Sequence, residues 1–333
     1  NPMRISGGLF GGAWPAHLVA DLGNGRFDGA WLVQNFDGLR PEAVWEKYTN
    51  LFSHVDNERE RFLGFERWWG SFYFLSREEI LAIIGNLFVG NRLEQGSFRT
   101  CDGCFADLRR IRNPIVIFAS SGDNITPPHQ AMGWIPVVYK DTEDLVRAGQ
   151  RIVYLLNSHV GHLGIFVSAS VAKLEHRAIL DSLADVAALP PGLYEMKIDN
   201  PTGDPDCRKG AYKVRFEKRQ VEDIRFPVDR PAFERVRKIS EQLDGVYTAT
   251  LSKSVQSLTN PYTATLMEWL HPMRVSRLMF GSSFNPVMPA MASLASEIRS
   301  NRHSLPDDAP LKKAEATVFA SVREALTRAR VTR

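Results

Sequence analysis

No run of about 18 apolar residues occurs in this chain, so it offers no candidate for a membrane-spanning helix. No signal peptide is visible. Three cysteines in 333 residues are too few for a disulfide framework. Cys101 and Cys104 form a CxxC, but in a polar Gly/Asp loop ahead of a strand. A thioredoxin-type motif would follow a strand and open a helix. A structural zinc would need two more ligands at paired spacing, and Cys207 is distant in sequence. The pair therefore reads as incidental loop cysteines, compatible with a reducing, cytoplasmic setting. Net charge is only +3, and no basic stripe points to nucleic acid. Arg328, Arg330 and Arg333 cluster at the C-terminus and read as an exposed, frayed tail. Both G-x-S-x-G and G-x-C-x-G nucleophile elbows are absent.

What remains is ordinary globular material, 44% apolar and 24% charged. Residues 1–40 are Gly-rich (Gly7-Gly8, Gly11-Gly12, Gly23, Gly25, Gly29) and read as loops and tight turns. A phosphate cradle would need a strand before the glycines, and none is evident. Residues 41–95 read as helical. Pro41 suits a first helical turn, and Phe62, Phe65, Trp69 and Phe72 recur at helical spacing. Ten aromatics fall in the 30 residues Trp45–Phe74, against 10% aromatics overall. They suit a densely packed helical cap; the competing reading is an apolar substrate entrance.

Residues 105–180 carry α/β character. Pro114–Ser120 (PIVIFAS) and Arg151–Leu156 (RIVYLL) are short, continuous, β-branched runs, as expected of strands buried on both faces. Helices are expected over His129–Tyr139 and Asp141–Ala148, the latter stopped by Gly149. Strand, helical crossover, strand makes a βαβ unit with parallel strands. Residues 181–230 suggest a β-hairpin extension, with strands in Leu193–Ile198 and Ala211–Ile224 around Pro- and Gly-rich turns. Residues 231–333 read as helical, ending in an amphipathic segment Leu311–Arg330 expected to pack on the rest of the chain.

Functional groups of a parallel sheet collect at the C-terminal strand ends. Asp123 lies three residues past the first run and His162 six past the second. The order acid then histidine, each on a turn after a strand, is that of an α/β-hydrolase. A neutral imidazole takes a proton from a thiol or hydroxyl, while a carboxylate on its other nitrogen fixes the tautomer. Gly161 and Gly164 would permit tight turns that aim the ring, and Pro127-Pro128 would stiffen the acid loop. Taken singly, Asp123 also admits the lesser reading of a turn or capping residue, and His162 that of a core histidine. His159 competes with His162 but is expected to face solvent, and His129 should start a helix. A metal site of Asp123, His159 and His162 is disfavoured because GHLG lacks the HExxH helix spacing.

At these residues the chain resembles poly(3-hydroxyalkanoate) synthases. Gly122-Asp123-Asn124-Ile125-Thr126-Pro127 and Gly161-His162-Leu163-Gly164 look like that family's acid and histidine motifs. The wider pattern is similar to an uncharacterised bacterial branch described as 3-hydroxyalkanoate synthetase-like. It includes Asn1-Pro2-Met3-Arg4, Asp21-Leu22-Gly23-Asn24-Gly25, Phe65-Glu66-Arg67-Trp68-Trp69, Asn86-Leu87-Phe88-Val89-Gly90-Asn91 and Gly149-Gln150-Arg151-Ile152-Val153-Tyr154. The resemblance is good over residues 1–180 and looser beyond. It implies an α/β-hydrolase fold with a Cys or Ser, Asp and His triad, of which Asp123 and His162 carry over. It further implies that the elbow lies upstream of a position like Asn1, so that the chain is the C-terminal part of a longer protein.

The expectation is therefore an α/β fold. It is the C-terminal part of an α/β-hydrolase with a helical cap (1–104), βαβ core (105–180), hairpin extension (181–230) and helical region (231–333). The expected substrate is a hydroxyacyl thioester or ester, with no cofactor, no metal, no nucleic acid and no membrane span. A homo-oligomer is compatible with this reading. An esterase or depolymerase on the same fold is the alternative enzyme. A non-catalytic module that binds granules or a partner through its aromatic cap and C-terminal helices is the alternative outside enzymes.

Overall fold

The computed structural model describes residues 12–123, 125–200, 212–224, 226, 230–303 and 305–331. Gly7-Gly8, Gly11, Cys207 and the turn at Pro201–Pro205 lie outside these residues, as does Asn124. The protein is mixed α/β and mainly helical. Its strands are β1 (Arg26–Asp28), β2 (Phe74–Ser76), β3 (Phe98–Cys101), β4 (Cys104–Ala106), β5 (Ile115–Ser120), β6 (Arg151–Asn157), β7 (Gly192–Asp199) and β8 (Lys213–Arg219). The chain forms two compact units, one drawn from Asn1–Pro15 and Leu81–Gly245, the other from Ala16–Ile80 and Val246–Arg333.

The first unit holds a four-stranded sheet in the order β5-β6-β7-β8. β5 and β6 pair in parallel from Ile115↔Ile152 to Ser120↔Asn157, and β6 pairs in parallel with β7. β7 and β8 are antiparallel, so the expected hairpin strands extend the main sheet. The continuous apolar runs are explained by cover on both faces. Ile152 and Tyr154 pack into one cluster with Met132, Ile135, Tyr139 and Leu145. Val153 and Leu155 pack into another with Ala178, Val186, Tyr194 and Met196.

The crossover between β5 and β6 is helical, in three short pieces. The single helix expected over His129–Tyr139 is two, Pro128–Met132 and Ile135–Val138. Gly133 ends the first turn-rich piece and Pro136 opens the second. Asp141 caps the third, Thr142–Arg147, through its side chain and the Asp144 N–H at 2.8 Å. Gly149, at φ +72°, takes the left-handed residue after the helix.

Cys101 and Cys104 do not sit in an open loop. They face each other across the tight β3–β4 hairpin and are joined by a disulfide, with Gly103 at φ +78° in the turn.

Much of residues 13–40 is helical rather than loop. Trp14–Leu22 and Ala30–Leu39 are helices. The glycines instead mark the end of the first: Gly23 and Gly25 N–H groups return to Val19 and Ala20, and Asn24 and Gly25 adopt positive φ. The first helix is anchored by the buried carboxylate of Asp21. It accepts from Tyr247 Oη (2.8 Å), Ser252 Oγ (2.7 Å) and Gln256 Nε2 (3.0 Å), and pairs with Arg77 Nε at 3.2 Å.

The aromatic segment is a surface ladder, not a dense core. Helix Val55–Trp69 buries no residue, and Phe52, Trp68 and Tyr73 are 64%, 54% and 78% exposed. Phe65 stacks on Trp69, and the Lys47 ammonium lies 5.1–5.9 Å from the rings of Tyr48, Phe62 and Phe65. Helical spacing defines a face without saying what covers it.

The C-terminal segment is a helix, Pro310–Val331, packed on helix Pro41–Ser53. Trp45 Nε1 donates to the Phe319 carbonyl (3.2 Å), Phe319 meets Trp45 edge-on, and Arg330 Nε donates to the buried Glu42 (2.9 Å). Arg330 is thus a packing contact rather than part of a frayed tail; Arg333 is outside the described residues. Among the described residues, no helix is long and apolar enough to cross a membrane.

Candidate active site

Because β5 and β6 are adjacent and parallel, the segments leaving Ser120 and Asn157 open on one edge of the sheet. Both are folded back by polar side chains at the strand ends. Ser120 Oγ accepts from Gly122 N–H (3.1 Å), and the Ser121 N–H reaches across to the Asn157 carbonyl (2.9 Å). Asn157 Oδ1 accepts from the N–H groups of His159 and Val160 at 2.9 and 3.0 Å, while its Nδ2 donates to Glu175 (2.7 Å). The two loops then touch backbone to backbone at Gly122. A Cβ there would overlap the His159 carbonyl oxygen, lying 2.6 Å from its carbon and 2.9 Å from the Val160 oxygen. Glycine is required by this close approach. Gly161 is different: a Cβ there meets open space, and its φ is not positive. The ring is aimed by Gly122 and Asn157, not by Gly161.

These loops bring Asp123 and His162 together across 39 positions of sequence. His162 Nδ1 lies 2.9 Å from Asp123 Oδ2. The Asp123 side chain is fully buried, and His162 keeps 29% of its side-chain surface. Each carboxylate oxygen of Asp123 is occupied. Oδ1 accepts the N–H groups of Ile125 (2.8 Å) and Thr126 (2.9 Å). Oδ2 accepts the Thr126 hydroxyl at 2.6 Å as well as His162. Burial by itself would raise the Asp123 pKa, but the Thr126 hydroxyl and N–H, His162 and the Ile125 N–H outweigh it. The carboxyl is held below its usual range and ionised at neutral pH.

An ionised carboxylate only accepts, so Nδ1 of His162 must carry the proton. In the neutral form of the ring the lone pair then lies on Nε2, for which no hydrogen-bond partner occurs among the described residues. This is the protonation state of a general base. Thr126 Oγ1 sits 3.0 Å from the same Nδ1 and completes the bracket around it. Thr126 and Asn157 are positioning residues not singled out by sequence reasoning. Their signal was weak but present: a hydroxyl three residues past the acid, and an Asn closing a strand, both favour side-chain-to-backbone bonds that shape turns.

His159 is exposed, as expected. His129 lies in helix Pro128–Met132, where burial lowers its pKa. Among the described residues, no group of three or more His, Cys, Asp or Glu side chains is placed to hold a metal ion.

The chain matches, over residues 1–333, the family described as protein of unknown function DUF3141. It belongs to that family. An uncharacterised protein in the ackA 5′ region of Rhizobium meliloti is similar, 42% identical over 335 residues that take in 98% of this chain. The chain spans 45% of that relative's length. No solved structure matches it. Neither the family description nor the relative's name carries an activity, so function rests on the chemistry of Asp123 and His162.

Proposed function

We propose that the DUF3141 chain carries the acid–base half of an α/β-hydrolase-fold acyl enzyme acting on hydroxyacyl thioesters or esters. His162 is the base and Asp123 the group that orients it. The observation that supports this reading is the hydrogen bond between the buried, ionised Asp123 and Nδ1 of a partly exposed His162, which leaves Nε2 open. The resemblance at Gly122–Pro127 and Gly161–Gly164 to polyhydroxyalkanoate synthases favours hydroxyacyl transfer, with a Cys nucleophile, over hydrolysis with Ser. No nucleophile elbow occurs within these residues, so this segment alone is expected to be inactive.

The test is acylation by an activated 3-hydroxyacyl ester. In the full-length natural protein, a burst of leaving group is expected, abolished by His162→Ala with folding retained. The 333-residue segment by itself should give none. A burst from the segment, or an unchanged burst from the folded His162→Ala protein, would sink the assignment. The exposed aromatics Phe52, Trp68 and Tyr73 favour a second reading, a module that binds a partner or a hydrophobic granule. That reading predicts granule or partner binding untouched by His162→Ala and lost on removing those rings.

A further inference from the structure

The two edges of the main sheet are built differently. β8, at one edge, reads KVRFEKR and carries Lys213, Arg215, Glu217, Lys218 and Arg219. Charged side chains of this kind keep an edge strand in water and discourage further pairing. β5, at the other edge, reads IVIFAS and carries neither a charge nor a proline. Its side chains serve both faces of the sheet: Ile115 and Ile117 border one apolar cluster, Val116 and Phe118 the other. This is the pattern of an interior parallel strand. Its neighbour β6, apolar from Ile152 to Leu156, is interior, with Ile152 to Leu155 buried. In β5, Ile115 to Phe118 are only half-buried, and β6 is its sole strand partner among the described residues. Every second residue of β5 thus turns its N–H and C=O away from β6, toward an edge with nothing in its sequence to protect it.

We propose that the open edge of β5 is a docking site for one further apolar β-strand, parallel to β5, from polypeptide of the same protein outside these 333 residues. The curated relative supplies the length, since more than half of it lies beyond the region matched by this chain. A second copy is a poorer fit. Two copies meeting at this edge across a two-fold axis would pair antiparallel, against the parallel run of β5, β6 and β7. The inference stands on sheet construction and does not depend on the acyl chemistry. It has a bearing on that chemistry nonetheless. The added strand would lie next to β5, the strand that leads into the Asp123 turn.

Residue-resolved amide hydrogen exchange on the full-length natural protein tests it without any substitution. The amides of β5 should all be protected to within about tenfold of those in β6, at every protein concentration, with β8 as an internal standard for an open edge. Alternate β5 amides exchanging about 100-fold faster than β6 would overturn the proposal. So would protection that appears only as protein concentration rises, which would assign the edge to a second copy. Acylation measured on the same sample separates the two readings. Unprotected β5 amides with an intact burst reject the added strand alone; protected amides without a burst reject the acyl enzyme alone.

Discussion

Replacing Asp123 by Asn isolates the electronic role of the carboxylate, because the two side chains have the same shape. Asn Oδ1 still accepts from Ile125 and Thr126, so the turn survives. Its amide nitrogen now faces His162 Nδ1 and donates where the carboxylate accepted. A charge-assisted bond such as that at 2.9 Å contributes about 1.5–3 kcal/mol. At about 1.4 kcal/mol per factor of ten, that holds the Nδ1–H tautomer dominant by about 10- to 100-fold. The Asn protein should invert it, placing the proton on Nε2 and removing the base. Long-range 1H–15N spectra read the tautomer directly, with His162→Gln assigning the signal among the eight histidines. In the full-length protein the same change should cut acylation by about 10^4-fold, as in other triads that lose the carboxylate but keep its geometry. Stability should respond as well. The carboxyl of Asp123 lies below its ordinary value in the fold, so its contribution is complete above an unfolded pKa of about 3.9. It is lost as pH falls through the lower folded value, and the Asn protein should lack this acid limb in urea melts. A neutral His162 protonated on Nε2 in the unsubstituted protein, or a tautomer indifferent to Asp123→Asn, would refute the reasoning.

Three further outcomes are expected. Gly122→Ala should cost about 1–3 kcal/mol in urea unfolding, because the loop backbones must part, and should weaken the Nδ1–H signature of His162. Asp21→Ala should cost about 3 kcal/mol by the same assay, the low end for a broken buried pair, since Arg77 retains some solvent contact. Phe319→Ala should cost about 1–2 kcal/mol, less than a fully buried ring, and should loosen the C-terminal helix in near-ultraviolet circular dichroism.

The parts of the fold legible in sequence are those where one local rule decides. Both parallel strands follow from unbroken apolar runs rich in β-branched residues, and the crossover helix Thr142–Arg147 follows from its Asp cap and Gly stop. Asp123 and His162 were legible because chain order and strand ends constrain where such groups meet. The misreadings share another cause. Glycines at residues 23 and 25 end a helix that their density seemed to forbid, since helix formation depends on the residues before the stop. In helix Val55–Trp69, Trp68 is exposed and Phe62, Phe65 and Trp69 are only half-buried, which periodicity did not reveal because it is blind to what lies opposite. The cysteines at 101 and 104 meet because a two-residue turn brings strand ends together, a pairing invisible without the hairpin. The packing role of Gly122, quoted only as part of the acid motif, was equally silent, because its neighbour is the backbone of a loop 37 residues away.

That contact at Gly122 also fixes what can be transplanted. Acid and base are joined by their main chains before their side chains meet, so neither loop carries its geometry alone. A graft of the His162 loop into another sheet would bring the ring without its aim. The smallest portable cassette is the pair of strand ends, Ser120–Thr126 with Asn157–His162, and a library that shuffles one loop against a foreign partner should recover folded proteins with misdirected imidazoles.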